Sequence, residues 1–446
     1  MATPVQYDIV VVGGGTAGCV LAARLTEEPD RTVCLVEAGP DYGSFGDGRW
    51  PDDILDGRWL ATDSHCWERD DEEDRSQLRA RIMGGCSAHN GCVILRGAPA
   101  DYDEWGPGWT AEKLTPYLDR AERELATRPI GLEELSPWHL AFADAGGEDA
   151  IINPLNLTVD GVRWSAAFAY LDPARSRPNL TIVAGVLVDR VLLDGERAVG
   201  VATSNGDVRG GTVVLAAGAY GSPGVLMRSG IGPESGLPIG ENLLDHVGVG
   251  ATWEPTDELR SAMDDFTRGH ELMLAGVTIE ARSSACADDV CDLFLVPVVE
   301  PDHQIAAAVF AMKPRSRGRV TLSSPDPRAP LHIDHGFLAD EEDAGLLVEG
   351  FELLRELGRS APIRRYAARE SRPGEEIGAR EHVRASASGF FHPIGTCAIG
   401  KVIDERGRVF GYGNLVVADA SIMPTIPRAN TNLTTAAIAE RMAELI

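Results

Sequence analysis

Residues 7–37 constrain the fold more than any other stretch, because they contain a strand, a glycine-rich turn, a helix and a second strand that ends in an acid. The run DIVVV at 8–12 is almost continuously β-branched, which is typical of a parallel strand buried on both faces. The next six residues, GGGTAG at 13–18, fit the pattern G-x-G-x-x-G. The strand TVCLV at 32–36 leads directly into Glu37. The pattern predicts an α/β fold that begins with a dinucleotide-binding unit.

Each of these residue types has a physical reason to stand where it does. Gly13 allows a tight turn, Gly15 lets a pyrophosphate approach the backbone, and Gly18 lets the helix pack close to the strand. The helix N-terminus offers free N–H groups to the phosphate. Glu37 suits a ribose diol and repels a 2′-phosphate. A glycine turn with a purely structural role is the alternative, and the complete strand–helix–strand context favours the dinucleotide.

Composition narrows the range of partners. The chain has 446 residues, which is enough for two or three domains, and a net charge of −27 with a pI near 4.7. This charge disfavours nucleic acid and anionic membranes as partners. An apolar run long enough to span a membrane and a basic leader are both missing from the sequence, so we expect a cytoplasmic protein. The eight cysteines have no C-x-x-C spacing, which predicts neither a metal site nor a disulfide framework.

The order of the predicted elements suggests an inserted domain. After residue 180, short strands break at the hairpin signals Asp194-Gly195 and Asn205-Gly206, and the run 212–215 looks like a return to the nucleotide-binding sheet. Further elements are a strand at 292–299, a strand at 319–323, a helix over 340–370, a strand at 415–419 and a helix at 434–446. The two strands between 250 and 340 would suit a separate antiparallel sheet. The first strand and the last helix can then belong to one domain.

Three later motifs carry residues that could do chemistry, and each also has a plain structural explanation. RIMGGCSAHNG at 81–91 would let backbone approach a flat ligand, or it is an ordinary loop. His392, in HPIGT at 392–396, is a possible base, or a structural histidine. NTN at 430–432 stands before the last helix, where Asn and Thr favour the N-cap.

Taken together, the motifs resemble those of the glucose–methanol–choline (GMC) oxidoreductase family, nearly from end to end. The resemblance rests on the glycine fingerprint with Glu37 and on five later segments: RARIMGGCSAHNGCVILRGAPADYDEWG at 79–106, AAGAYGSPGVLMRSGIGP at 216–233, IGENLLDHVG at 239–248, FFHPIGTCAIG at 390–400, and NLVVADASIMP at 414–424 followed by residues 430–432.

The resemblance implies a Rossmann-like FAD-binding domain with an inserted α+β substrate domain built on an antiparallel sheet. We expect residues 1–130, 180–250 and 385–446 in the FAD-binding domain, and 131–179 and 251–384 in the substrate domain. By the same resemblance, FAD is held by Gly13, Gly15, Thr16, Ala17, Gly18, Glu37, Ala38, Gly84, Gly85, Ser87, His89, Asn90, Gly91, Val188, Ala217, Asp419, Ala420, Thr431 and Asn432.

The resemblance also assigns the catalytic residues. His392 corresponds to the family's base and Asn430 to its hydrogen-bond partner. The expected reaction is oxidation of a primary or secondary alcohol, with hydride transfer to flavin N5 and reoxidation by oxygen or a quinone-type acceptor. A neutral imidazole suits the removal of the hydroxyl proton near pH 7, and an amide N–H can hold the developing alkoxide. The alternative is a hydroxynitrile-lyase type of enzyme that keeps the flavin as structure.

Two details refine the expected chemistry. GGCSAHNGC resembles the choline-oxidase motif in which the histidine is bonded to the flavin, so His89 is a candidate for covalent attachment; a buried, hydrogen-bonded histidine is the alternative. The glutamate that binds choline in those enzymes corresponds roughly to Leu274, which argues against choline. Phe390, Phe391 and Trp67 favour aryl or polyol alcohols. The chain is also short for the family, so we expect a more open pocket.

Overall fold

The structure is a computed structural model that describes residues 6–69, 71, 74–286, 290–299 and 304–446. The strands within these ranges are β1 Gln6–Val12, β2 Val33–Val36, β3 Ala150–Ile152, β4 Leu180–Val183, β5 Val188–Asp194, β6 Arg197–Thr203, β7 Gly206–Leu215, β8 Glu241–Leu243, β9 Val247–Pro255, β10 Val277–Ala281, β11 Leu293–Val299, β12 Ile305–Ala311, β13 Gly318–Thr321, β14 His332–Asp334, β15 Ala367–Arg372, β16 Ser388–Gly389 and β17 Leu415–Val417.

The α-helices within the same ranges are α1 Thr16–Leu25, α2 Asp52–Leu55, α3 Pro99–Asp103, α4 Ala111–Glu124, α5 Pro137–Gly146, α6 Asp172–Ala174, α7 Gly218–Arg228, α8 Asp257–Thr267, α9 Glu341–Gly358, α10 Ala361–Arg364, α11 Ala379–Ser386 and α12 Thr431–Leu445. A short 3₁₀ turn covers Gly85–Ala88, and a π-helical turn covers Ala167–Leu171.

The first sheet is mixed, and its parallel part is the Rossmann-like unit predicted from residues 7–37. Its strand order is β4-β2-β1-β7-β6-β5, with β17 paired to β7. β1 pairs in parallel with both β2 and β7, and the two hairpins fall at the predicted Asp-Gly and Asn-Gly turns. The near-continuous apolar composition of β1 and β2 follows from burial on both faces, since every residue from Ile9 to Val12 and from Val33 to Val36 is buried.

Helices α1, α4 and α12 join the two ends of the chain into one layer beside this sheet. α1 is buried along almost its whole length, and α12 packs against both α1 and α4. Arg24 of α1 donates to the buried carboxylate of Glu440 in α12 over 2.9 Å. The final helix begins at Thr431, three residues before the start predicted from the sequence, so residues 431–433 form its first turn.

The second sheet is antiparallel and has the order β15-β9-β12-β11-β10-β3, with β16 paired to β9. A separate apolar core lies against it, formed by the sheet together with α5, α8 and α9. The predicted strand at 292–299 is β11 of this sheet. The α/β fold with an antiparallel second sheet is therefore confirmed.

Two elements differ from the sequence prediction. The run at 319–323 was expected in the antiparallel sheet, yet β13 pairs with β8 and β14 in a separate small sheet. A turn rich in proline at 324–330 folds the chain back so that His332–Asp334 becomes its partner. The helix expected over 340–370 ends at Gly358, and the chain then forms α10 and β15, which pairs with β9.

Within the described ranges, no helix combines the length and apolar composition needed to cross a bilayer. Every cysteine falls in those ranges, and none forms a disulfide.

Candidate active site

Four strands of the first sheet deliver the predicted cofactor residues to one edge. Gly13 follows β1, Glu37 follows β2, Ala217 lies two residues after β7, and Asp419 lies two residues after β17. The hydrogen bonds between β1 and β2 continue to this edge of the sheet, since the N–H of Gly13 donates to Val36 O over 2.8 Å. The carboxyl ends of parallel strands are where open α/β sheets bind ligands.

The two glycine-rich motifs lie backbone against backbone at this edge. Gly84 N–H donates to Gly14 O over 2.7 Å. Gly85 has a φ of +53°, and a Cβ placed on it would stand 2.6 Å from Gly15 Cα. Gly13, with a φ of +99°, has no room for a Cβ against the carbonyl oxygen of Ala216. A side chain is therefore excluded at Gly13 and at Gly85, and the N-terminus of α1 opens toward the second loop.

Glu37 is held by backbone donors rather than by a cation. Its carboxylate accepts from Gly14 N–H over 2.6 Å and from Gly39 N–H over 2.7 Å. Burial raises the pKa of Glu37. Val186 N–H donates to the carbonyl of Glu37, which brings the start of β5, and with it Val188, beside the acid. Ala38 follows Glu37 directly. The adenosine-side residues predicted from the sequence therefore form one group.

Asp419 ties the last strand to the beginning of α7. It accepts from Gly218 N–H over 2.8 Å and from the Ser222 hydroxyl over 2.5 Å, while its other oxygen accepts from Ser421 N–H. Burial raises the pKa of this carboxyl group. Ala217 and Ala420 are the neighbours of these contacts, at the N-cap of α7 and in the turn after Asp419.

The N-termini of α1 and α12 meet at the same place. The hydroxyl of Thr16 donates to Asn432 Oδ1 over 2.9 Å. The other polar atom of that amide, Asn432 Nδ2, is buried without a hydrogen-bond partner among the described residues. Thr16 and Thr431 are buried, and Ala17 and Gly18 continue α1 inward. Two positive helix ends therefore face one region with a spare amide donor.

The loop at 84–91 also contains a buried polar atom that lacks a hydrogen-bond partner among the described residues. His89 is buried, and its Nε2 has no hydrogen-bond partner in the described part of the chain. Burial and the nearby positive charge of Arg163 lower the pKa of His89 to about 4, so the ring is neutral. Around it, Ser87 donates to Gly84 O over 2.6 Å, and the Asn90 side chain accepts from Cys92 N–H.

These features fit FAD. The glycine loops leave space for a diphosphate, Glu37 is placed for a ribose, and Gly91 borders an apolar wall that includes Leu60 and Leu274. The partnerless buried atoms of His89 and Asn432 lie in the segments assigned to the cofactor. FAD would therefore be held by the glycine edge, Glu37, Asp419 and the 84–91 loop.

His392 and Asn430, the predicted catalytic pair, are in contact. Asn430 Nδ2 lies 3.3 Å from His392 Nε2. Asn430 stands at the N-cap position of α12, but its side chain makes no capping bond to the described backbone of that helix. The capping role that the sequence also allowed for Asn430 is therefore wrong, and its amide turns to the histidine. The next two residues carry the chain to Asn432 and the N-terminus of α1, which joins the pair to the cofactor residues.

Two residues beside the pair were not singled out from the sequence. His246 Nδ1 lies 3.0 Å from His392 Nδ1, with the rings at 88°. Asp245 accepts from the backbone N–H of His392 over 2.9 Å. Both belong to the segment LLDH, which was used to identify the family and was given no chemical role. Burial lowers the pKa of His392 well below its usual range and that of His246 to about 3, so both rings are neutral.

An aromatic pair forms one wall beside His392. The Phe390 ring stacks on Phe310 at 3.7 Å and 6°, and lies 4.6 Å from the His392 ring. These phenylalanines pack with Phe294, Val296 and Met312 of the second sheet. The Trp67 ring, the third aromatic residue named from the sequence, lies under the guanidinium of Arg81.

Comparisons with known proteins identify the family and the fold of the chain. A family model described as GMC oxidoreductase matches residues 7–248, and a second with the same description matches 314–439. The chain is 32% identical to a 5-(hydroxymethyl)furfural oxidase of Methylovorus sp. (strain MP688), over 100% of this chain and 99% of the relative. It is 32% identical to an oxygen-dependent choline dehydrogenase of Serratia proteamaculans (strain 568), over 99% and 96% of the two chains.

Among solved structures, pyridoxine 4-oxidase from Mesorbium loti matches with a TM-score of 0.85 and 27% identity, covering 98% of each chain. The alignment with the furfural oxidase runs over 534 positions, against 446 residues in this chain, so that relative carries insertions that are missing here.

Proposed function

The chain belongs to the GMC oxidoreductase family, whose members are FAD flavoproteins, and from that premise we propose that it oxidises an alcohol to a carbonyl compound. The observation that carries the proposal is the contact between Asn430 and His392, in which a potential helix cap is turned toward a half-buried, neutral imidazole. This pair is joined to the cofactor edge through residues 430–432.

In the proposed reaction, the protein handles the proton and the cofactor accepts the hydride. Bound FAD supplies the hydride acceptor. His392 removes the hydroxyl proton at Nε2, which a neutral imidazole can do near pH 7. Asn430 has a second amide hydrogen that can donate to the substrate oxygen as negative charge develops there. The His392 side chain is half-buried, and partial desolvation of its ring strengthens both interactions.

The proposed substrate is a small aromatic primary alcohol. The stacked Phe390 and Phe310 offer a flat apolar surface next to the base. The choline-binding glutamate corresponds roughly to Leu274 by the sequence resemblance, and leucine supplies no carboxylate for a quaternary ammonium. Pyridoxine and 5-(hydroxymethyl)furfural, the compounds in two relatives' names, are small aromatic rings with a hydroxymethyl group. We propose oxygen as the electron acceptor because relatives are named oxidases or oxygen-dependent.

The test is anaerobic flavin reduction followed in a stopped-flow spectrophotometer with 5-(hydroxymethyl)furfural, pyridoxine, benzyl alcohol and choline, followed by a peroxide assay in air. We expect aromatic alcohols to bleach the flavin and choline to do so poorly. Bleaching by an alcohol also separates this activity from a lyase, which leaves the flavin oxidised. If no alcohol reduces the flavin, the proposal is wrong.

Substitution of the pair tests the assigned roles. His392→Ala should slow flavin reduction by about 10²–10⁴-fold while FAD stays bound, and Asn430→Ala by about 10²–10³-fold. The exposed His270→Ala, three residues after the end of α8, is the matched control and should behave like the wild type. Reduction of the His392→Ala enzyme at the wild-type rate would contradict the assignment of the base.

We also propose that His89 is covalently bonded to FAD. Its neutral ring and the partnerless Nε2 support a nitrogen lone pair available for a bond to carbon. Acid precipitation should leave the yellow colour in the protein pellet, and His89→Ala should release it to the supernatant. His65→Ala is the control, because His65 is already hydrogen-bonded to Tyr42 and Ser64. Release of FAD from the wild-type pellet would exclude the covalent bond.

A further inference from the structure

We propose that His246 is a positioning residue that fixes the tautomer of His392, so that Nε2 of His392 carries the lone pair that accepts the alcohol proton. The inference rests on the proposed function. It starts from His246, which lies directly before β9, is completely buried, and contacts His392 with one ring nitrogen and a backbone carbonyl with the other.

The carbonyl group of Pro427 determines which ring nitrogen of His246 carries hydrogen. His246 Nε2 lies 3.0 Å from the carbonyl oxygen of Pro427, and a carbonyl can only accept. Nε2 of His246 therefore carries hydrogen. Because the ring is buried and Lys313 adds a positive charge nearby, the pKa of His246 falls to about 3 and the ring stays neutral. A neutral imidazole has one N–H, so Nδ1 of His246 is an acceptor.

The position of hydrogen on His246 determines its position on His392. His392 Nδ1 lies 3.0 Å from this acceptor and must donate to it. His392 is itself neutral, because burial lowers its pKa and the neighbouring His246 and Arg79 disfavour a second positive charge. Its Nε2 is therefore left without hydrogen. The side-chain amide of Asn430 presents Nδ2, a donor, to that atom, which is the orientation this tautomer requires.

The arrangement serves both protonation states of the base. When His392 takes a proton at Nε2, its Nδ1–H continues to donate to His246, so the imidazole ring keeps its orientation, and the amide of Asn430 gives up its bond to Nε2. The neighbouring Asp245 holds the backbone N–H of His392. Consecutive residues thus fix the ring and the main chain of the base. His246 acts here as the third group that orients a base, a role that a carboxylate fills in many hydrolases.

Three substitutions separate this role from packing. His246→Asn keeps an acceptor oxygen at the δ position toward His392 and loses the bond to Pro427. His246→Gln keeps a donor at the ε position toward Pro427 and loses the δ acceptor. His246→Leu loses both. We expect flavin reduction to fall by about 10²–10⁴-fold in the Gln and Leu variants, and by much less in the Asn variant.

The tautomer of His392 can be measured directly, and a loss of side-chain packing alone would not change it. Two-bond ¹H–¹⁵N spectra of ¹⁵N-histidine-labelled holoenzyme, assigned with His392→Gln, should show hydrogen on Nδ1 of His392 in the wild type and the Asn variant, and on Nε2 in the Gln and Leu variants. FAD content and thermal unfolding are measured alongside. Equal rate losses in the Asn and Gln variants with an unchanged tautomer would overturn the proposal, as would a wild-type His392 protonated at Nε2.

Failure of the proposed function would be recognised separately. If no alcohol reduces the wild-type flavin, the reaction assigned to the enzyme is wrong, whereas the spectrum still decides the tautomer. If the variants lose FAD, the wild-type spectrum alone decides: Nδ1–H on His392 supports the role of His246, and Nε2–H removes it.

Discussion

Asp245 places a buried carboxyl group directly beside His392, the proposed catalytic base. Its oxygen accepts from the backbone N–H of His392, and burial raises its pKa to about 7, against an ordinary value of 3.8. In the folded protein the group therefore holds a proton that the unfolded chain releases above about pH 4. Because the folded state binds more protons, this group's contribution to stability is full below pH 3.8 and is lost as the pH rises to about 7.

Asp245→Asn isolates this effect, since asparagine keeps a carbonyl oxygen for the His392 N–H and does not titrate. We expect the free energy of unfolding of the wild type, minus that of the variant, to fall by about 1.4 kcal/mol per pH unit between about pH 4 and pH 7, and to level off above. Urea unfolding at half-unit steps of pH measures the difference. A difference that is constant from pH 4 to 8 would mean that Asp245 titrates normally.

The residues of the site differ in how far the sequence reveals them. Gly13 and Glu37 stand in a local strand–helix–strand pattern, so their positions at the cofactor edge follow from the sequence alone. His246 contacts His392 across 146 positions and Pro427 across 181. Its neighbours LLDHVG carry no local signal for a buried imidazole chain. Asn430 shows the same limit, because a helix cap and a catalytic amide have the same sequence pattern.

At the scale of elements, we expect FAD binding to be most sensitive to substitutions at the contact between the two glycine loops. Gly85→Ala would place a Cβ 2.6 Å from Gly15 Cα at a positive φ. We expect the variant to lose at least tenfold in FAD affinity, because the loops must separate at the phosphate side of the site. Affinity is measured by reconstituting apoprotein with FAD.

The matched control is Gly236→Ala. Gly236 also has a positive φ, +87°, but a Cβ there meets no atom within 4 Å. It therefore carries the backbone strain of about 1 kcal/mol without the collision and should keep its FAD affinity. Equal affinity losses in the two variants would show that strain, and not the approach of the loops, governs binding.

Elements with strong local patterns are predicted well, and those set by distant pairing are not. β1, α1 and β2 follow from composition and glycine spacing. β13 pairs with its near neighbour β14 and with the distant β8, and strands of three or four residues do not reveal such partners. The segment of β15 falls within the predicted helix because Arg-rich segments suit both states. Its pairing with β9 decides the outcome.

At the scale of the whole molecule, the acidic surface affects which electron acceptors reach the flavin. The chain has 68 acidic residues against 41 basic ones, for a net charge of −27. A field of this sign attracts cationic acceptors and repels anionic ones, and salt screens both effects. We expect the kcat/KM for ferricenium to fall several-fold as ionic strength rises from about 10 mM to about 300 mM, and that for ferricyanide to rise.

A neutral quinone is the control for this experiment, because its rate should be insensitive to salt. The three acceptors are compared at one pH with a saturating alcohol, so that only the reoxidation step differs. Parallel salt dependence for the cation and the anion would show that net charge does not govern access to the flavin, and that local groups at the entrance do.

The pairing of α1 with α12 has a consequence for biosynthesis. Thr16 meets Asn432, and Arg24 meets Glu440, each across 416 positions of sequence. The first glycine loop therefore emerges from the ribosome long before the helix that completes its surroundings. Contacts of such long sequence separation form late and slowly. The nascent chain cannot close the cofactor cradle until α12 has been synthesised, and loading with FAD must follow that step.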